Sequence, residues 1–197
     1  MRQTLPMHIR AGVLLFLIAP LMAACSTPAP DRYYLLSATL NPAAPVAGQG
    51  TVIGIGPVTI PSHLDRSMIV SRSSSNRLEV NVGHRWAEPL DENINRILLE
   101  NIDHTGKAVR LETFPWTSRD GVDWQIVVDI DRFERQADGK VLLAARWKLV
   151  AFESGDITAS NRYEKVVDPK NTDVESTVSA MSDLLADMSV DIAKYIP

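Results

Sequence analysis

The chain has 197 residues, of which 45% are hydrophobic and 22% charged, with a formal net charge of −4 and one cysteine. That length suits one ordinary domain with a real core, while the acidic balance argues against nucleic acid or a broad anionic lipid surface as the main partner. A lone cysteine leaves no disulfide framework, so burial alone has to stabilise the fold.

The first 24 residues read as a signal segment. Arg2 and Arg10 occur with no acidic residue, and residues 11–22 (AGVLLFLIAPLM) form a continuous apolar stretch too short to span a membrane comfortably. The stretch closes on Leu21-Met22-Ala23-Ala24-Cys25-Ser26, which resembles a bacterial lipobox, with Met22 where leucine is usual and Leu21 one step further out. Small residues before the cysteine fit a narrow peptidase pocket, and the thiol accepts a diacylglyceryl group. The plain alternative is that Cys25 is a small residue at an ordinary cleavage site. It loses because an unpaired thiol in an export context has no structural partner. Three acyl chains, at about 0.8 kcal/mol per buried CH₂, far exceed the marginal hold of one. Cys25 is thus the expected lipid-attachment site, and Ser26 resembles the type passed on to the outer membrane rather than the Asp-bearing type kept at the inner one. The expected organisation is a signal peptide over 1–24, a lipidated N-terminus and proline-rich spacer over 25–30, and a single periplasmic domain over 31–197. Loss of Arg2 and Arg10 makes that domain more acidic still.

Residues 31–36 carry the aromatic and aliphatic character of a first strand, and 41–50 (NPAAPVAGQG) form a loop by composition. Residues 51–60 place Val52, Ile53, Ile55, Val58 and Ile60 among small residues as a buried strand does, and Pro61 ends it. The Gly54-Ile55-Gly56 run lacks the third glycine and following helix of a phosphate loop, and Pro57 removes an amide, so it reads as structural. Residues 68–70 predict a short strand, 71–76 (SRSSSN) a polar turn, and 77–82 an alternating hairpin partner. Pro89 stands where a helix starts, with Glu88 beside the positive end of its dipole. Leu90, Ile94, Ile97 and Leu98 then recur at helical spacing to about Asp103. A brief strand over 109–111 follows.

From Trp124 the alternation is clean, with Trp124, Ile126, Val128 and Ile130 on one face. A turn at Ala137-Asp138-Gly139 leads into a return strand over 141–152, and a turn at 153–156 into a third over 157–167. Val174, Val178, Met181, Leu185, Met188, Ile192 and Tyr195 form one stripe on a final helix, packed on the sheet. The expected fold class is α/β in the α+β sense: one domain with a twisted, largely antiparallel sheet of about seven strands and two amphipathic helices on one face.

The residues offer little chemistry. Ser62, His63 and Asp65 supply the types for a hydrolase but lack a nucleophile elbow, and neighbours on one loop rarely aim at a common centre. His63, His84 and His104 are about twenty residues apart with no i, i+4 pair, so neither a metal nor a cofactor is indicated. Asp129 and Asp131 read as solvated charge on the outer face of a strand.

Taken together, Tyr33-Tyr34-Leu35-Leu36, the strand ending in Ile60-Pro61, Leu64-Asp65-Arg66 with Ile69-Val70 behind it, and Arg85-Trp86-Ala87-Glu88-Pro89-Leu90 leading into the helix resemble the PqiC/YmbA-type ABC-transport auxiliary lipoproteins. The resemblance covers nearly the whole mature domain. It implies a non-enzymatic outer-membrane lipoprotein acting beside an MCE-domain protein of the inner membrane to move hydrophobic molecules across the periplasm. The hollow assemblies of such partners make a homo-oligomeric ring a reasonable expectation. Of the motif residues, Tyr34, Pro61, Arg85, Trp86, Glu88, Pro89 and Leu90 read as structural: Trp86 and Leu90 anchor the helix start, and Arg66, Arg85 and Glu88 are expected to cluster around the 62–67 loop. Leu64, Asp65 and Arg66, on a loop after a proline, are the candidates for partner contact. The competing readings are an independent periplasmic lipid-binding carrier and a cell-envelope hydrolase using Ser62 or His63.

Overall fold

Residues 30–44, 50–116 and 121–197 are described by the structure, a computed structural model. The expected signal segment and Cys25 lie outside these residues. In chain order the elements are β1 (Arg32–Tyr34), β2 (Val52–Thr59), β3 (Met68–Ser74), β4 (Arg77–Trp86), α1 (Leu90–His104), β5 (Arg110–Thr113), β6 (Trp124–Arg135), β7 (Val141–Ala151), β8 (Ile157–Val167) and α2 (Val174–Ala193).

These elements make an α+β domain with one eight-stranded sheet, one strand more than expected. Its longest ladders are the antiparallel β6–β7 and β7–β8 pairs, joined by the tight turns foreseen at Gly139 and Gly155, both of which adopt positive φ. The β3–β4 hairpin is also antiparallel, whereas β1–β4, β2–β5, β2–β6 and β3–β6 are parallel. Strand β6 is the spine of the sheet. One edge pairs with β7 throughout, and the other receives β2 along residues 124–129 and then β3 at Arg135.

Both helices pack on the same face, α1 over β2 and β5 and α2 over β7 and β8, and they touch each other. The core between them and the sheet holds Ile94, Ile97 and Leu98 of α1, Met181, Leu185, Met188 and Ile192 of α2, and Ile126, Val128, Leu143 and Trp147 of the sheet. Tyr195, the last member of the α2 stripe, is 47% exposed and rests its ring 5.1 Å from that of Trp147.

Several boundaries differ from the sequence reading, three of them with a consequence for the fold. Strand β3 continues to Ser74, so the turn shrinks to Ser75 and Asn76, and β4 runs on to Trp86. The first strand stops at Tyr34, because the backbone after it bonds to helix side chains instead of to a neighbouring strand. Beyond Ile130 the register with β7 shifts by one residue, so that Ile130 faces Ala145 but Arg132 faces Ala144. This bulge at Asp131 turns Phe133 inward and sends Arg132 and Glu134 to the side away from the helices.

Candidate functional site

The loop between β2 and β3 carries the residues expected to meet a partner. Pro61 starts a single helical turn: its carbonyl accepts the amides of Leu64 at 2.8 Å and Asp65 at 3.3 Å. That turn drives Leu64 into the core, where it is 2% exposed. A partner cannot touch it there, so its role is to hold the loop down. Asp65 and Arg66 are exposed.

The end of the loop is sewn to the Arg-Trp-Ala-Glu-Pro-Leu run. The amide of Trp86 donates to the Ser67 carbonyl at 2.8 Å, and Arg85 donates from Nη1 to Ser67 Oγ at 2.9 Å and from Nε to Asp31 Oδ2 at 2.5 Å. The amide of Ala87 donates to the Tyr34 carbonyl at 2.9 Å, and Tyr34 hydrogen-bonds His84 Nδ1 through its hydroxyl at 2.7 Å with the two rings stacked. Asp65, Arg66 and Ser67 therefore face Trp86, Glu88 and Pro89 across one open cleft of about 310 Å³, although some twenty residues separate them in sequence. Trp86 is 6% exposed and Leu90 3%, as anchors of the helix start must be.

The expected cluster of Arg66, Arg85 and Glu88 does not form. Arg85 holds the loop, but Glu88 turns the other way. Its Oε1 accepts from Asn93 Nδ2 and from Arg96, with Arg96 Nη2 at 2.9 Å, and Arg66 has no ion-pair partner among the described residues. The hydrogen bond from Asn93 is the main force holding the Glu88 carboxyl below its ordinary range; burial opposes it and Arg96 assists. Pro89 is the residue just before α1 and offers no side-chain cap.

Asn93 is the residue the sequence reading missed. It is fully buried, and its Oδ1 accepts the amide of Leu36 at 2.8 Å. Two further side-chain bonds continue the line: Ser37 N to Ser182 Oγ at 3.1 Å and Leu40 N to Asn101 Oδ1 at 3.4 Å. His104 Nδ1 then meets the Leu40 carbonyl at 2.8 Å. The segment after β1 is thus a strap laid over both helices. It explains why Ser182 and Asn101 are buried away from the apolar stripes. A polar residue inside an amphipathic repeat was the signal available: Asn93 and Asn101 sit beside Ile94 and Ile102.

The remaining candidates stay apart. No hydrogen bond joins Ser62, His63 and Asp65 among the described residues; Ser62 is exposed and His63 half-buried. Asp129 accepts Thr59 Oγ1 at 2.5 Å and Asp131 accepts Arg146 Nη2 at 2.8 Å, so each has its own partner. Among the described residues no group of three His, Cys, Asp or Glu side chains is placed to hold a metal, and no helix is long and apolar enough to cross a membrane.

Residues 34–193 match the family described as the ABC-type transport auxiliary lipoprotein component. The chain belongs to this family. Among curated relatives, this auxiliary lipoprotein is 25% identical over 130 residues to the intermembrane transport lipoprotein PqiC of Escherichia coli, covering 65% of this chain and 68% of that one. The same figures hold for PqiC of Shigella flexneri. Two solved structures share the fold: an uncharacterized protein with a TM-score of 0.71 at 18% identity, covering 86% of this chain and all (100%) of the other, and XCC0632 of Xanthomonas campestris with a TM-score of 0.68 at 16% identity, covering 82% and 92%. The match begins at Tyr34, so the Tyr34–His84 pair, the strap and the loop cleft all lie inside the family domain of this auxiliary lipoprotein.

Proposed function

We propose that this ABC-transport auxiliary lipoprotein is tethered through acylated Cys25 to the periplasmic face of the outer membrane. There it docks on, or extends, the conduit formed by an MCE-domain protein of the inner membrane, and so supports lipid movement across the envelope and membrane integrity. The cleft in which Asp65 and Arg66 confront Trp86 and Pro89 carries the reading. It is a surface built by the Arg85–Leu90 run on which the sequence resemblance rests, with exposed charge on one wall and a helix start on the other. The relative named as an intermembrane transport lipoprotein points the same way.

The test is recovery of partners. The full chain, tagged and solubilised from its native membrane, should bring down an MCE-domain protein identified by mass spectrometry, and R66E should reduce that recovery without lowering the unfolding midpoint. Reproducible absence of any MCE-domain protein from a folded, lipidated sample would refute the proposal.

A further inference from the structure

The bulge at Asp131 creates a second polar feature, on the side of the sheet away from the helices and unrelated to the loop cleft. Glu134 is 1% exposed there. Its Oε1 accepts Arg72 Nε at 2.9 Å, Arg132 Nε at 3.1 Å and Gln136 Nε2 at 3.4 Å, and its Oε2 accepts the amide of Phe133 at 2.9 Å. One guanidinium would be enough to neutralise one carboxylate. The second is surplus to that need, in a protein that is acidic overall.

Neither arginine is fully used. Arg72 gives Nη1 to the Ser75 carbonyl at 3.0 Å and Arg132 gives Nη2 to Gln136 Oε1, which leaves Arg72 Nη2 and Arg132 Nη1 without an acceptor among the described residues. Both side chains line an open cleft of about 820 Å³ between the β3–β4 and β6–β7 turns, together with Ser73, Ser74 and Ser75. Asp138 stands on the far wall at an exposed turn, where its Oδ1 accepts the Lys140 amide at 3.1 Å. Glu134 acts as a buried clamp that fixes both guanidinium planes in advance, and the Ser74 and Ser75 hydroxyls add neutral donors beside them, whereas Ser73 Oγ is engaged by Arg77, donating to its carbonyl at 3.4 Å and accepting its Nε at 2.8 Å. Two preorganised forks with free N–H groups, flanked by hydroxyls, match the oxygens of a phosphate group.

We infer that the Arg72–Arg132 cleft is a binding site for a phosphate ester, whether a lipid headgroup or a soluble phosphate. This inference does not rest on the proposed docking role, because it concerns a different face and a different ligand.

Isothermal titration of the full chain in a non-ionic detergent tests it with three probes: inorganic phosphate, glycerol 3-phosphate and dihexanoylphosphatidylglycerol. Binding that weakens with added salt and falls at least tenfold in R132Q is expected. D138N, which removes the opposing charge at an exposed turn, should tighten it several-fold. Saturation by the two soluble probes identifies a soluble ester as sufficient, whereas saturation by the lipid probe alone identifies the headgroup in its lipid context. Absence of binding by all three, or equal affinity in the wild type and R132Q, overturns the inference. If R132Q does not fold, unchanged affinity in D138N overturns it instead. Loss of MCE-protein recovery with phosphate binding intact would count against the docking role alone.

Discussion

Asn93 Oδ1 accepts the backbone amide of Leu36 at 2.8 Å while Asn93 Nδ2 donates to Glu88, so one buried side chain ties the chain entering the domain to the start of α1. Both ends of the amide are committed. No other residue of similar size offers an acceptor and a donor in that arrangement.

Substitution at Asn93 should therefore be costly. Asn93→Ala leaves the Leu36 amide unpaired in the interior and is expected to destabilise the domain by about 2–3 kcal/mol. Asn93→Asp should be worse, because it removes the donor and sets a second carboxylate against Glu88. Urea denaturation gives the order, and hydrogen exchange at Leu36 should rise in both variants before global unfolding.

Gly54 and Trp116 make a second obligate pair. A Cβ on Gly54 would come within 3.0 Å of three indole atoms of Trp116, whose ring lies edge-on to Phe114 and Phe152. Gly54→Ala should cost about 1–3 kcal/mol through overpacking and alter the near-ultraviolet dichroism of the indole. In a Trp116→Ala background the same substitution should cost much less, a coupling that a double-mutant cycle measures directly.

Acid should act through Glu134. Burial pushes its carboxyl up, but the bonds from Arg72, Arg132 and Gln136 together outweigh burial and hold it below its ordinary value of 4.5. A carboxyl that is more acidic in the folded than in the unfolded state contributes stability that is fully present above pH 4.5 and is lost as pH falls through the folded value. Glu134→Gln should be less stable than the wild type at neutral pH by about 2 kcal/mol, and the gap should close as the pH is lowered below that point. A gap that widens in acid would contradict the assignment.

The 61–67 loop separates structural from surface roles. Leu64→Ala should destabilise by about 2–4 kcal/mol as a core truncation, whereas Asp65→Ala and Arg66→Ala should stay within about 0.5 kcal/mol of the wild type. Thermal unfolding checks all three.

At the N-terminus, Cys25→Ala should release a folded domain from the membrane fraction if lipid is its tether. Persistence of the variant with outer membrane after fractionation would assign the anchoring to another surface.

The sequence made local relationships plain and long-range ones obscure. The β6–β7–β8 meander followed from alternation and from turns that glycine permits, and the α2 stripe from its spacing of three and four. The parallel neighbours of β2 were hidden, since strand composition does not say which later strand a crossover will bring alongside. The placement of Arg132 and Glu134 was not legible for a physical reason. A simple alternation carried past Ile130 puts them with the core, and only the extra residue at Asp131 reverses the faces. At the loop cleft, Trp86 and Leu90 were legible as anchors by apolarity beside a helix start. The burial of Leu64 depended on a turn closed by backbone bonds to Pro61, which leaves no side-chain signature.

Because β6 serves as the shared rail for β2, β3 and β7, the order in which the polypeptide emerges has consequences for how it survives. The β3–β4 hairpin can close early and β2 can pair with β5 along one edge, but the other edge of β2 must wait, satisfied by water, until residue 124 and beyond have appeared. The C-terminal third can close its hairpins at once. Chaperone dependence should therefore concentrate in the early half of the chain, and a fragment ending before Trp124 should be the species most prone to clump.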